Sequence, residues 1–228
     1  MKEINIEEFQ EKIQIEFNDK ELLSVALTHS SFSNERKINR RANNERLEFL
    51  GDAVLEIVVS DYLFRAYPKK PEGELTKLRA SLVCEPTLAA CARDISLGDY
   101  LFLSKGETLT GGDDRDSILS DAFEAVIGAV YMDQGYDKAK FFIDTYLLGD
   151  VEDKVLFYDS KTKLQEMVQS VSKERVEYRL VKEEGPDHMK TFTVEVMLED
   201  KLLGVGEGRS KKSAEQKAAY EAIKSKKI

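Results

Sequence analysis

The sequence predicts an all-α domain followed by a small α+β domain whose elements run in the order α-β-β-β-α. Apolar residues recur at helical spacing through the first two-thirds of the chain, whereas apolar and polar residues alternate in parts of the last third. The formal charge also divides unevenly between these two parts. We therefore place the first domain at 1–150, a linker at 151–157 and the second domain at 158–228.

Helical spacing accounts for the first domain element by element. Helix 44–67 stops before Pro68, and Pro71 and Gly73 mark the turn that follows it. Helix 117–134 is apolar on nearly every side, which predicts that it is largely buried. The complete set of predicted helices is 4–17, 20–27 with Asp19 as its cap, 44–67, 74–84, 86–95, 117–134 and 136–148.

The pattern changes beyond about 149–158. Helical spacing at the two ends of the last third encloses three stretches with strand character. The predicted order is helix 160–171, strands 176–181, 191–198 and 201–208, and helix 210–226.

Composition narrows the class of protein. With 42% hydrophobic residues, the 228-residue chain can bury a substantial core. No apolar run approaches the roughly 20 residues that span a bilayer, and the N-terminal M-K-E-I-N-I-E-E-F is too acidic for a secretion signal. Cys84 and Cys91 lie in an apolar helical stretch and are interpreted as core thiols. We expect a soluble, cytoplasmic protein with no membrane partner.

The formal charge of −9 hides a basic tail. Residues 153–228 hold 16 Lys+Arg against 14 Asp+Glu, a net of +2, which leaves 18 against 29, a net of −11, for residues 1–152. An acidic body with a comparatively basic appendage suggests that the body carries a metal and the appendage holds a polyanion.

Six acidic side chains fall among apolar residues of the first domain, where unpaired carboxylates are costly. Each pair or triplet has helical spacing, so its members share one helix face. Acidic residues so spaced usually lie on a solvated face, but the apolar surroundings of 121–124 oppose that interpretation. A hard divalent cation such as Mg²⁺ would compensate their charge. The six are Glu45, Glu48, Asp52, Glu72, Asp121 and Glu124.

Three motifs carry a resemblance to a known family. N-E-R-L-E-F-L-G-D-A-V-L at 44–55 resembles the signature of ribonuclease III, the bacterial endonuclease that cuts double-stranded RNA. E-G-E-L-T-K-L-R-A-S-L-V at 72–83 and S-I-L-S-D-A-F-E-A-V-I-G-A-V at 117–130 resemble the next two blocks of that family. The α-β-β-β-α tail resembles the double-stranded RNA-binding domain. The resemblance covers essentially the whole chain and implies an all-α endonuclease domain followed by that binding domain.

The resemblance implies metal-dependent hydrolysis of phosphodiesters in duplex RNA, with water as the nucleophile and 5′-phosphate and 3′-hydroxyl ends as products. The implied substrates are structured RNAs, including precursors of rRNA and mRNA. Mg²⁺ is the expected cofactor, Mn²⁺ is a possible substitute, and no organic cofactor is expected. One ion or two are equally compatible with the sequence. The implied metal ligands, directly or through waters, are Glu48, Asp52, Asp121 and Glu124; the implied catalytic residues are Asp52 and Glu124, assisted by Glu45 and Glu72.

The resemblance also implies which residues of the tail contact RNA. Lysines 211 and 212 begin a predicted helix, where the helix dipole disfavours each by about 0.3–1 kcal/mol unless phosphates lie nearby. A domain of this kind recognises the shape of A-form duplex over about 16 bp. The implied RNA-binding residues are Thr162, Gln165, Glu166, His188, Arg209, Ser210, Lys211 and Lys212.

Cutting both antiparallel strands requires two sites related by a two-fold axis, and the family meets this need as a homodimer. Phe49 is expected to enter a pocket on the partner; the alternative is an internal core residue. Two rival functions stay open. A non-catalytic double-stranded RNA-binding protein would need the tail alone, and a helical metal-dependent phosphohydrolase of small nucleotides would need only the acidic body.

Overall fold

The computed structural model of the chain describes residues 5–36, 42–149, 151–171, 174–185, 190–208 and 210–225. The chain divides into two compact units, 1–151 and 152–228. The first is helical and the second holds three antiparallel strands flanked by helices, so the predicted fold class is confirmed. Among the described residues, no helix is long and apolar enough to cross a bilayer.

Nine α-helices and two short 3₁₀ helices, Leu97–Tyr100 and Gly112–Asp114, are described in the first unit. The sequence predicted seven of the nine and missed α3 and α7, which are short. The α-helices are α1 (Ile6–Ile13), α2 (Lys20–Ala26), α3 (Ser30–Arg36), α4 (Glu45–Ala66), α5 (Glu72–Leu82), α6 (Glu85–Asp94), α7 (Lys105–Leu109), α8 (Asp116–Gln134) and α9 (Tyr136–Tyr146).

Capping residues set the ends of the first two helices. Helix α1 is shorter than the predicted 4–17, because Gln14 takes a left-handed conformation with φ of 55° and ends the helix. The backbone N–H of Phe17 then donates to Oε1 of Gln10 at 2.8 Å. Asp19 caps α2 as predicted, accepting from the N–H of Glu21 at 3.0 Å.

Helix α8 is the centre of the first unit, with α2, α4, α6 and α9 packed around it. Most of its apolar side chains are buried, as the sequence predicted, and the ring of Phe123 lies 5.3 Å from that of Phe142 on α9. A helix buried on most sides fixes the few polar side chains it carries. Asp121 and Glu124 are two of these, and both are partly buried.

Helix α4 begins at a point tied to two other segments. The N–H of Asn44 donates to the carbonyl of Thr28 at 2.9 Å, and Thr28 forms a parallel bridge with Phe102. On either side of this bridge, the N–H of His29 donates to the carbonyl of Phe102 at 3.1 Å and that of Phe102 to Leu27 at 2.8 Å. Residues 27–29 between α2 and α3, the segment around Phe102 and the start of α4 are therefore joined through backbone hydrogen bonds.

The second unit contains helix α10 (Val151–Tyr158) from its second residue onward, then α11 (Ser160–Val171), β1 (Glu177–Glu184), β2 (Thr191–Leu198), β3 (Lys201–Gly208) and α12 (Lys211–Lys224). The predicted linker at 151–157 is thus helical. Side-chain contacts with α12 hold it, since Lys224 Nζ lies 2.7 Å from Asp153 Oδ1 and the Phe157 ring packs against Tyr220.

The three strands lie in the order β1-β2-β3, with Glu177 opposite Met197 and Leu198 opposite Lys201. Helix α12 lies directly on β3, because glycines leave room for it. A Cβ on Gly206 would lie 2.2 Å from the nitrogen of Ala218, and one on Gly204 would lie 2.5 Å from the carbonyl oxygen of the same residue. A Cβ on Gly208 would meet the nitrogen of Ala214 at 2.7 Å.

Candidate active site

Helices α4 and α8 cross with their backbones in contact, and two glycines make this possible. A Cβ on Gly51 of α4 would lie 1.8 Å from the carbonyl oxygen of Glu124, and one on Gly128 of α8 would lie 2.1 Å from that of Leu47. Glycine inside a helix costs about 0.5–1 kcal/mol relative to alanine. Here it lets the acidic residues of both helices meet at the crossing.

The crossing brings three of the predicted metal ligands together. Glu48 of α4 and Asp121 and Glu124 of α8 each offer a carboxylate oxygen, and these atoms lie within 4.8 Å of one another. All three residues are partly buried. Among the described residues, none of the three pairs with a lysine, arginine or histidine within 4.0 Å. We call these residues the carboxylate cluster.

Burial and mutual repulsion favour protonation of the carboxylate cluster. Burial, together with the charges of Asp52, Glu48 and Asp121, raises the pKa of Glu124 from its ordinary value of 4.5 to about 8. Burial likewise raises the pKa of Glu48 and, with Glu85, that of Asp121. Three anionic groups at this spacing therefore need a compensating positive charge.

A hard divalent cation fits this donor set. Carboxylate oxygens are the ligands that Mg²⁺ prefers, and a site with only a few of them leaves room for the waters it retains. Among the described residues, the group of side chains that could hold a metal ion consists of these three carboxylates and includes no cysteine or histidine. Glu48, Asp121 and Glu124 are the residues that would hold such an ion.

The other three predicted acids lie outside the carboxylate cluster. Asp52 and Glu45 are exposed on α4; the charge of Asp52 acts on Glu124 and Glu48, and that of Glu45 acts on Glu48. Glu72 is exposed at the start of α5 and accepts a hydrogen bond from Thr76 Oγ1 at 2.9 Å. Their predicted roles in metal binding and catalysis stay predictions.

Sequence reasoning missed the two glycines of the crossing. Each glycine lies in a motif already singled out for its acids, and each interrupts an otherwise strong helical pattern. That cost in helix propensity was a usable signal, because a glycine kept inside a helix often marks a close approach of another backbone. Which backbone approaches could not be read from the sequence.

The predicted RNA-binding residues on α11 share one face. Thr162 and Glu166 are exposed, one turn apart, and Gln165 lies between them, partly buried. The Nε2 atom of Gln165 is buried and has no hydrogen-bond partner among the described residues. This face therefore exposes a hydroxyl and a carboxylate, and the RNA-binding roles of these three residues stay predictions.

At the start of α12, Ser210 is the N-cap and its hydroxyl accepts from the N–H of Ser213 at 3.1 Å. Lys211 and Lys212 follow and are exposed, with Lys211 Nζ 5.9 Å from the centre of the Phe192 ring. Both lysines thus lie at the positive end of the helix dipole, as predicted. His188 and Arg209 lie outside the described residues.

Phe49 is not a core residue. Its side chain is 80% exposed on α4, where Ile57 is 57% and Phe64 is 72% exposed. Spacings of eight and seven residues place these side chains along one side of the helix. We call Phe49, Ile57 and Phe64 the α4 apolar stripe.

Comparison with known proteins finds a matching family for each of the two units. A family profile described as ribonuclease-III-like matches residues 19–151, and a second, described as double-stranded RNA binding motif, matches residues 160–226. "Ribonuclease 3" of Pelotomaculum thermopropionicum is 55% identical over 93% of this chain and 89% of its own. "Ribonuclease 3" of Caldanaerobacter subterraneus is 50% identical over 94% of this chain and 95% of its own.

Solved structures match the first unit. The nuclease domain of ribonuclease III from Campylobacter jejuni has a TM-score of 0.59 and 46% identity, covering 64% of this chain and 95% of that domain. A second structure of that domain has a TM-score of 0.58 and 46% identity, covering 63% of this chain and 99% of that one. Its description reports structural flexibility in a region involved in dimer formation. The chain belongs to the ribonuclease III family of endoribonucleases and carries a double-stranded RNA-binding domain.

Proposed function

We propose that the chain cleaves double-stranded RNA by divalent-metal-dependent hydrolysis at the carboxylate cluster, leaving 5′-phosphate and 3′-hydroxyl ends. The observation that carries this proposal is the meeting of three half-buried acids, Glu48, Asp121 and Glu124, within 4.8 Å of one another. Such a cluster weakens the fold unless it serves a ligand. Family membership supports the same chemistry.

Mg²⁺ is the proposed cofactor, with Mn²⁺ as a possible substitute. When bound, it would activate water for attack on the phosphodiester and stabilise the charge of the leaving oxygen. Glu48, Asp121 and Glu124 would hold it, and Glu124 must give up the proton that burial favours before it can do so. Asp52, Glu45 and Glu72, which lie outside the carboxylate cluster, are proposed to assist catalysis.

Duplex RNA is the proposed substrate, drawn from structured precursors of rRNA and mRNA in the cytoplasm. The second unit supports this choice, because the exposed lysines at the start of α12 and the polar face of α11 offer donors to phosphates and 2′-hydroxyls. Recognition by shape would let one enzyme act on many duplexes. His188 and Arg209 belong to the same proposal.

A homodimer is the proposed assembly. Two cleavage sites related by a two-fold axis would match the antiparallel strands of the duplex. The α4 apolar stripe supports this, since Phe49, at 80% exposure, is a large apolar side chain in the same helix as Glu48. The Campylobacter jejuni nuclease domain, which is 46% identical, is described as having a region involved in dimer formation.

The test combines substrates with one substitution. Long duplex RNA, a hairpin RNA and free nucleotides are each incubated with Mg²⁺ and the wild-type chain. Cleavage of the two RNAs alone supports the proposal. Hydrolysis of the nucleotides instead would favour a nucleotide phosphohydrolase, and binding without any cleavage would favour a non-catalytic RNA-binding protein.

Glu124→Gln tests whether cleavage takes place at the carboxylate cluster. The substitution keeps the side-chain volume and removes one charge from the cluster, so the protein should be as stable as the wild type or more so. Cleavage should fall by several orders of magnitude, with part of it restored by high Mg²⁺ or by Mn²⁺, while gel-shift affinity for duplex persists. Glu11→Gln, at an exposed position on α1, is the matched control. Near-normal cleavage by Glu124→Gln would eliminate the assignment.

A further inference from the structure

We propose that Arg79 of α5 binds a phosphate of the RNA strand that is cut, at a position beside the scissile phosphate. This inference rests on the proposed function, because it requires a duplex to lie over the carboxylate cluster. All the RNA-binding residues expected from the sequence lie in the second unit, and Glu72 alone was given a role in the motif at 72–83. Arg79 would add an RNA contact to the first unit.

Arg79 lies beside a row of α4 side chains that begins at the carboxylate cluster. Its Nη1 donates to Ser60 Oγ at 3.0 Å and lies 3.6 Å from Glu56 Oε2. Residues four apart form one row along a helix, and Glu48, Asp52, Glu56 and Ser60 have this spacing. Glu56 follows Glu48 by eight residues, or about 12 Å along the axis. The row therefore has the carboxylate cluster at one end and the guanidinium of Arg79 at the other.

The guanidinium of Arg79 keeps one edge available to a ligand. Among the described residues, Nη1 is the only one of its nitrogens with a partner, and the side chain is 35% exposed. Arg93 differs, because its Nε and Nη2 donate to Asp114 at 2.6 Å and to Asp116 at 2.7 Å. The same two nitrogens of Arg79 form a planar fork that matches two oxygens of a phosphate.

The charge of this part of α4 makes a cation necessary if RNA is to lie along it. Residues 1–152 hold 18 Lys+Arg against 29 Asp+Glu, a net of −11, and Asp52 and Glu56 would repel a strand that follows the row. Arg79 offsets this repulsion at the row itself. Its distance of 3.6 Å from Glu56 is too long for a hydrogen bond, so the arginine is oriented by Ser60 while its fork stays unpaired.

The alternative role of Arg79 is a clamp that only holds α5 on α4. Ser60 is well placed for a clamp, since its hydroxyl donates to the carbonyl of Glu56 at 2.6 Å and accepts from Arg79. A clamp, however, uses the Nη1 contacts alone and gives no role to Nε and Nη2. The two roles predict different effects of removing Arg79 and of removing its carboxylate partner.

Arg79→Gln removes both the charge and the fork. With duplex RNA and Mg²⁺, we expect kcat/KM to fall about 10-fold or more through a higher KM, with kcat close to that of the wild type, because a flanking contact is equally strong before and during the reaction. The salt slope of kcat/KM should fall by roughly one unit. Arg79→Lys should keep the slope and restore only part of kcat/KM. A wild-type KM and salt slope in Arg79→Gln would overturn the inference.

Glu56→Gln distinguishes a phosphate contact from a clamp. The substitution removes a carboxylate that competes with phosphate and keeps an amide oxygen for Nη1, so kcat/KM should equal or exceed that of the wild type. Equal losses of thermal stability and of kcat/KM in Glu56→Gln and Arg79→Gln would show a clamp instead. Arg65→Gln is the matched control, because Arg65 pairs with Asp61 at 2.9 Å about 25 Å along α4 from Glu48. An equal fall of the salt slope in this control would mean that position does not matter, which contradicts the proposed contact.

Mn²⁺ binding separates a failure of this inference from a failure of the proposed function. The electron paramagnetic resonance signal of free Mn²⁺, measured without RNA, should show that Arg79→Gln binds the ion at least as tightly as the wild type. Weaker binding would mean that Arg79 acts on the metal site rather than on RNA. If the wild type cleaves duplex and Arg79→Gln cleaves it with the same KM and salt slope, only the role of Arg79 is wrong. If the wild type cleaves no duplex, the proposed function is wrong, and the role of Arg79 fails with it.

Discussion

The crossing of α4 and α8 gives the sharpest structural prediction, which is the effect of Gly51→Ala. The added Cβ would lie 1.8 Å from the carbonyl oxygen of Glu124, whereas such carbons essentially never come closer than 3.0 Å to another atom. The helices must therefore separate by at least about 1.2 Å. Every close atom belongs to the backbone of α8, so no side chain can rotate away to relieve the contact.

Two opposing free-energy contributions set how much Gly51→Ala changes the stability of the first unit. Alanine favours a helix over glycine by about 0.5–1 kcal/mol, and overpacking a core typically costs about 1–3 kcal/mol, occasionally more. Because the contact is with backbone, we expect the cost to lie at the upper end, for a net loss of about 2 kcal/mol. For a unit of this size that corresponds to a fall of roughly 4–8 °C in the unfolding midpoint.

The effect on cleavage should exceed the effect on stability. Separation of the helices moves Glu48 away from Asp121 and Glu124, and a displacement of about 1 Å in a reacting site can cost about 100-fold in rate. Calorimetry and duplex cleavage, measured well below the unfolding transition, test both effects. Gly73→Ala on α5 is the matched control, since nothing lies within 4 Å of its added Cβ. Unchanged stability and cleavage in Gly51→Ala would refute the close crossing.

Three further predictions concern other parts of the chain. The folded-state pKa of Glu124, about 8, lies above the ordinary 4.5. The folded protein therefore keeps a proton that the unfolded chain has released, and metal-free wild type should lose stability as pH rises from about 4.5 to 8. Thermal unfolding of Glu124→Gln should show less of this loss, and equal pH profiles would contradict the shifted pKa. Phe49→Ala should shift light scattering at micromolar protein towards the monomer, whereas Leu109→Ala, at a side chain 86% exposed elsewhere, should not; a Phe49→Ala dimer as stable as the wild type would remove Phe49 from the interface. Lys212→Ala should lower the salt slope of duplex binding by roughly one unit, with Lys182→Ala as the control, and an unchanged slope would mean that Lys212 contacts no phosphate.

The sequence predicted the long helices and the strands because their patterns extend over several turns or alternations. The strands at 191–198 and 201–208 have the predicted bounds. Helices α3 and α7 were missed, since seven and five residues are too few for a periodic pattern to stand out. The helix at 151–158 was missed because contacts with α12, rather than its own pattern, hold it.

The acids of the site were predictable, but their grouping was not. Spacing placed Glu48 and Asp52 on one helix face. In the structure Glu48 lies in the carboxylate cluster, whereas Asp52 is exposed outside it. The difference arises from the crossing point at Gly51, which depends on a second helix far away in sequence. Exposure of Phe49 likewise became visible only once the packing of α4 was known.

The glycines of β3 are spaced so that successive turns of α12 pack against them. Two residues of strand advance about 6.6 Å and four residues of helix about 6.0 Å, so Gly204, Gly206 and Gly208 nearly match the turns of α12 that carry Ala222, Ala218 and Ala214. This match fixes the helix along its axis. One residue inserted between Lys212 and Ala214 would therefore turn both lysines by about 100° away from their present direction. The direction of the two lysines that we propose to contact RNA is thus decided on the inner side of the helix, by residues that need never touch RNA.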